Sequence, residues 1–154
     1  MKFIKITALL LAVLMLSVSM IGCQSGEQKE TKTINVTVSV VAPDKTILEP
    51  VTIPVTYTAD EPATVMIAVT NALDENALSY VLSDDENHIN AIEDYADAIE
   101  GEGDAQMICF WEYTLNGVAS ADDVSAGTNL INDGDKIVYT YVKELASEME
   151  EDAE

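Results

Sequence analysis

The chain has 154 residues, with seven lysines, no arginine, 28 Asp and Glu, and a formal net charge of −21. So few cations exclude phosphate-neutralising roles, whether on nucleic acid, on a phosphate ligand or on an anionic lipid surface. Two cysteines and one histidine cannot supply the four soft ligands of a zinc cluster, and His-dependent nucleophilic chemistry would have to run through His88 alone.

Met1-Lys2-Phe3-Ile4-Lys5 is a cationic start to an almost wholly apolar stretch, Ile6–Ile21. That stretch is shorter than the ~20 residues a membrane span needs. It closes on Met20-Ile21-Gly22-Cys23 and gives way to the polar run Gln24–Glu30. The pattern resembles a bacterial lipoprotein signal peptide, which implies cleavage after residue 22 and diacylglyceryl transfer to the thiol of Cys23. Two acyl chains, at ~0.8 kcal/mol per buried methylene, would anchor the chain on the extracytoplasmic face of the membrane. The domain organisation expected is therefore a signal peptide over 1–22, a flexible tether over 23–32, a folded domain over 33–143 and an acidic disordered tail over 144–154. Only Cys109 would then remain as a free thiol. Its neighbours Met107, Ile108, Phe110 and Trp111 are apolar, which marks it as an inert core residue.

Within 33–143 the segment Ile34–Val41 alternates Ile34, Val36, Val38 and Val40 with Asn35, Thr37 and Ser39, the period of a half-buried strand. Pro43-Asp44-Lys45-Thr46 is turn chemistry, and Val51–Thr58 alternates again. Pro54 lacks a ladder donor, so this second strand belongs at a sheet edge or carries a bulge. Asp60-Glu61-Pro62 reads as a helix entry. Val65, Ala68, Val69, Ala72 and Leu73 then form one apolar stripe, predicting an amphipathic helix of about four turns that ends near 76–78.

Tyr80-Val81-Leu82 is a short strand candidate, followed by a loop over 83–88. Ile89, Ile92, Tyr95, Ala96 and Ile99 fit a helical seam, which favours a short helix or turn over 89–99, although its first five residues would also pair as a strand. Met107–Leu115 is a strand with Met107, Cys109, Trp111, Tyr113 and Leu115 on one face. The helix stripe is the expected cover for that face. Asn116-Gly117 is a turn, 118–129 a long loop of small residues, and Asp133-Gly134-Asp135 turns the chain into a last strand over 136–142. One helix and several strands in this order predict an α+β fold, a β-grasp-like mixed sheet packed on a single amphipathic helix.

Three segments, Trp111–Gly117, Ser125-Ala126-Gly127 and Asp133–Tyr141, together resemble the bacterial lipoprotein domains related to the C-terminal β-domain of transcobalamin and intrinsic factor. An aromatic strand ending in Asn-Gly, a loop of about 15 residues and a closing Asp-Gly-Asp carry the resemblance, and Ala63–Leu73 fits the family's helix. It implies a β-grasp fold and capture of a corrinoid (cobalamin-like) or other planar ligand. A corrin has a broad apolar face and an amide rim, so aromatic rings and backbone amides suit it and no arginine is required.

On that expectation Trp111 and Tyr113 shape a ligand site, and Asn116, Gly117 and the loop containing Gly127 contact the ligand. The plainer reading makes Trp111, Tyr113, Tyr139 and Tyr141 core residues packed on Val65, Val69 and Leu73, and makes Asn116-Gly117 an ordinary hairpin turn. Asp122-Asp123 and Asp133/Asp135 offer oxygen ligands, but EF-hand spacing is absent and turn chemistry explains the second pair, so no metal is expected. Asp84-Asp85-Glu86 with His88 reads as a solvated loop. No nucleophile stands beside a recognisable base, so no enzymatic activity and no cofactor are expected. The alternative function is a non-catalytic surface module that binds a protein or carbohydrate through a strand edge or an acidic face.

Overall fold

The computed structural model describes residues 30–121 and 124–147. The expected signal peptide, Cys23, most of the expected tether, Asp122-Asp123 and the end of the acidic tail lie outside the described residues.

Strand β1 (Lys32–Ala42) and strand β2 (Lys45–Tyr57) form an antiparallel hairpin in which Val36 faces Ile53 and Ile34 faces Val55. The alternating set Ile34, Val36, Val38 and Val40 is buried, as the period of two requires. β2 is an edge strand, and Pro54 sits on it opposite Asn35. At an edge the missing N–H removes no inner ladder bond.

Helix α1 (Val65–Glu75) buries the predicted stripe and adds Met66 to it. It begins later than the Asp60-Glu61-Pro62 signal suggests. Those three residues form a turn, in which the Glu61 N–H donates to Thr58 Oγ1 at 3.1 Å and the Thr58 N–H to the Glu61 carbonyl at 3.1 Å. Thr64 is the cap, accepting from the Ile67 N–H at 3.4 Å. The start is set by tertiary pairing: the Val65 N–H donates to the Asn129 carbonyl and the Met66 N–H to the Ala126 carbonyl, at 3.0 and 2.9 Å. First-turn donors that a helix leaves orphaned are thus satisfied by the long loop. At the other end Ala77 adopts φ 54° and the Leu78 N–H returns to the Leu73 carbonyl at 3.0 Å, closing the last turn.

The segment 89–99 is strand rather than helix. Strands β3 (Tyr80–Leu82), β4 (Ile89–Ile92) and β5 (Tyr95–Ala96) make a small antiparallel sheet, and β6 (Ala98–Glu100) joins the main one. The helical spacing of Ile89 and Ile92 has a specific cause. Ile92 pairs with Tyr80 and Ile89 with Leu82, so three steps on β4 match two on β3. The bulge brings both isoleucines to the core face, fully buried, three residues apart.

Strand β7 (Met107–Leu115) pairs along its whole length with β9 (Lys136–Leu145), and the two-residue β8 (Val118–Ala119) folds back on β7. β9 also runs parallel to β1, with Val38 beside Ile137. The order β2-β1-β9-β7-β6, with the parallel pair at its centre, is a mixed sheet of β-grasp arrangement packed against one helix. β9 continues through Glu144 and Leu145, two residues expected in the tail, because Leu145 pairs with Met107 and Lys143 reaches Glu100 at 3.0 Å.

The aromatic face of β7 and β9 is covered differently from the expectation. α1 lies over β1 and β2, whereas β4 lies against β7. Tyr95 from β5 packs edge-on against Trp111 and Tyr141, with ring centroids 6.5 and 5.3 Å apart. One helix is too narrow for a six-stranded sheet, so the small sheet shields the other half.

Candidate functional site

Two loops rise on either side of the β7–β9 aromatic floor and leave a cleft of about 460 Å³ between them. Trp111 and Tyr113 from β7 and Tyr139 from β9 reach the cleft from below. One wall is the 83–88 turn with Asp85, Asn87 and His88, and the other is formed by Ser120, Ala121, Val124, Ser125 and Ala126.

The first wall is held by its own polar side chains. Ser83 Oγ donates to Asp85 Oδ1 at 2.6 Å, the Asn87 N–H donates to the same oxygen at 3.2 Å, and the His88 N–H donates to Ser83 Oγ at 3.0 Å. The Ser83 hydroxyl, helped by Asn87, holds the Asp85 carboxyl below the usual range. His88 Nε2 meets Asp97 Oδ2 at 3.1 Å, which fixes the ring at the mouth of the cleft.

The second wall is pinned from below. Tyr113 Oη donates to the Val124 carbonyl at 3.3 Å, Asn129 Nδ2 donates to Tyr113 Oη at 3.0 Å, and the Ala126 carbonyl is bonded to the start of α1. Ala126 and Ile131 are buried, which seats this long loop on the core.

The residues singled out in the sequence are distributed unevenly. Trp111 and Tyr113 are core residues, 2% and 6% exposed, that show only an edge to the cleft. Both have spent their polar atoms: Trp111 Nε1 donates to the Tyr95 carbonyl at 3.0 Å, and Tyr113 Oη is committed to the loop. Gly127 lies beyond the second wall, in a groove of about 480 Å³ beside α1. A Cβ there would lie 2.1 Å from Asn87 Oδ1, so Gly127 lets the two walls touch and separates groove from cleft.

Asn116 and Gly117 line neither cavity. They form the β7–β8 turn at φ 56° and 79°. The Asn116 side chain is used inside the protein, with Nδ2 donating to Asp135 Oδ1 at 2.8 Å and Oδ1 accepting from the Lys136 N–H at 2.9 Å. Ser125 belongs to the 118–129 loop expected to contact ligand, whereas His88 and Asn87 also border the cleft and were not legible as site residues. They come from a loop whose local sequence reads as solvated turn, and only the fold brings them over the aromatic floor.

Among the described residues the cleft is lined by two carboxylates, Asp85 and Glu112, and by no lysine. Among the described residues no group of three or more His, Cys, Asp or Glu is placed to hold a metal ion. No helix among them is long and apolar enough to cross a membrane. Fold and cleft together define a small α+β module with a recessed cleft that carries two carboxylates among its described lining residues.

No family model and no curated protein sequence matches the chain. Among solved structures it is similar to haptocorrin in complex with cobinamide, at 20% identity and a TM-score of 0.50 over 79% of this chain. The match spans 28% of the haptocorrin chain. It is also similar to a candidate metal binding protein from Ruminococcus gnavus, at 16% identity and a TM-score of 0.41 over 72% of this chain and 98% of that one. At such identities the likeness to haptocorrin is one of fold, and it agrees with the transcobalamin-like resemblance of Trp111–Tyr141.

Proposed function

We propose that the chain is a non-catalytic binding module, tethered to the extracytoplasmic face of the membrane through a lipidated Cys23, that captures a corrinoid. The cleft over Trp111, Tyr113 and Tyr139 supports this reading: a recess with an aromatic floor, polar walls and, among the described residues, no lysine. Haptocorrin, similar in fold, holds cobinamide in its solved structure. A volume near 460 Å³ is at the lower end of small-molecule sites, so the cleft would grip one rim of a corrin rather than enclose it.

Trp111 is the sole tryptophan and is buried at the cleft floor, which makes it the reporter. Titration with cobinamide and with cobalamin should quench its fluorescence saturably, and calorimetry should give the same affinity free of ligand absorbance. No response in either measurement up to high micromolar corrinoid refutes the corrinoid reading. The competing reading, a surface module that pairs a strand edge with a partner, would then stand on β6, an edge strand whose Ile99 is 69% exposed. The tether has its own test: Cys23→Ala should release the protein from the membrane fraction.

A further inference from the structure

Four aromatic side chains with polar atoms lie along the β7–β9 face, and three of them are fully accounted for. Trp111 Nε1 donates to the Tyr95 carbonyl, Tyr113 Oη to the Val124 carbonyl, and Tyr141 Oη to the Ala96 carbonyl at 2.6 Å. Tyr139 is the exception. It is 1% exposed, its ring is stacked on Tyr113 with centroids 5.6 Å apart, and its hydroxyl has no hydrogen-bond partner among the described residues. A buried hydroxyl normally finds a protein partner. Among the described residues no buried side-chain oxygen or nitrogen is sealed off without one, so the Tyr139 hydroxyl must open onto space, and the space its side chain borders is the cleft.

We infer that the Tyr139 hydroxyl is the recognition group of the cleft, and that the group it receives is a primary amide, whose carbonyl oxygen accepts the hydroxyl proton. The chemistry of the walls selects this class. Among the described residues Asp85 and Glu112 border the cleft, no lysine does, and His88 is already engaged by Asp97, so a carboxylate or phosphate entering it would meet like charge without a free counter-ion. A primary amide carries no charge, offers an acceptor to Tyr139, and presents two N–H donors to walls rich in oxygen. Ring stacking on Tyr113 holds the Tyr139 hydroxyl in place before the ligand arrives, so little ordering is required on binding. The inference takes the cleft as the site and names the part of the ligand that enters it, which in a corrinoid would be one amide of the rim.

The test uses the purified protein and two probes. In NMR spectra, with the Tyr139 ring signals assigned by their loss in Tyr139→Phe, millimolar propionamide should shift those signals saturably and propionate should not. Equal effects of the two, or no movement of Tyr139 with propionamide, overturn the inference. With cobinamide, Tyr139→Phe should weaken binding about fivefold, as expected for one lost neutral hydrogen bond, with unfolding by urea unchanged in cooperativity. Unchanged cobinamide affinity in Tyr139→Phe overturns the inference while the corrinoid reading stands. A propionamide response without cobinamide binding upholds the inference and removes the corrinoid.

Discussion

Replacing Asn116 tests whether the Asn-Gly turn is a structural latch or a ligand contact. Asn116→Ala removes both side-chain bonds, to Asp135 and from the Lys136 N–H, and leaves a residue with a Cβ at φ 56°. The bonds are exposed, so each contributes about 0.5–1 kcal/mol, and the strain of a Cβ in the left-handed region, about 1 kcal/mol, is already present in the parent chain and stays in the Ala variant. The expected loss is about 1–2 kcal/mol. Asn116→Gly loses the same bonds without the backbone strain and should be milder by about 1 kcal/mol. Urea unfolding followed by Trp111 fluorescence gives both values by linear extrapolation. In the folded variants, affinity for cobinamide should equal that of the parent chain, because Asn116 lines neither the cleft nor the groove. Equal stability of the Ala and Gly variants would refute the strain argument. A large change in ligand affinity at native stability would return Asn116 to the binding site.

Two further perturbations follow from the same geometry. Gly127→Ala places a Cβ 2.1 Å from Asn87 Oδ1 and 3.2 Å from its Cα, an overpacking that should cost about 1–3 kcal/mol. In the double-mutant cycle, Asn87→Gly should recover part of that loss, and strict additivity would show that the two walls do not touch. Alkali should weaken the fold through Tyr139 and Tyr141, both held above the ordinary tyrosine range by burial, Tyr141 to about 12. A raised folded-state value means stability that is complete below pH 10 and is lost as pH climbs toward 12. Tyrosinate absorbance should therefore report these two rings only with unfolding, and Tyr141→Phe should flatten the alkaline limb; free titration of both rings in the folded protein would contradict their burial.

The strands β1, β2, β7 and β9 and the body of α1 were legible because each writes its environment locally. Alternation in Ile34–Val40 and Met107–Leu115 and the stripe from Val65 to Leu73 are patterns of a single segment against a single apolar surface. Edge placement of Pro54 was legible for the same reason, since a missing donor is a property of the residue. What covers the aromatic face was not. Ile89 and Ile92 carry a helical spacing, and a bulge against β3 converts it into one buried side of a strand, which depends on the partner's register. The start of α1 likewise depends on carbonyls of Ala126 and Asn129, some 60 residues away, that satisfy its first donors. The cleft is wholly a product of tertiary structure: Tyr139 is placed by sheet pairing, His88 and Asn87 by a turn on another sheet, and Ser125 by a loop fastened to Tyr113. Local sequence states how a side chain relates to its own backbone, and a recess exists only where segments distant in sequence fail to fill the space between them.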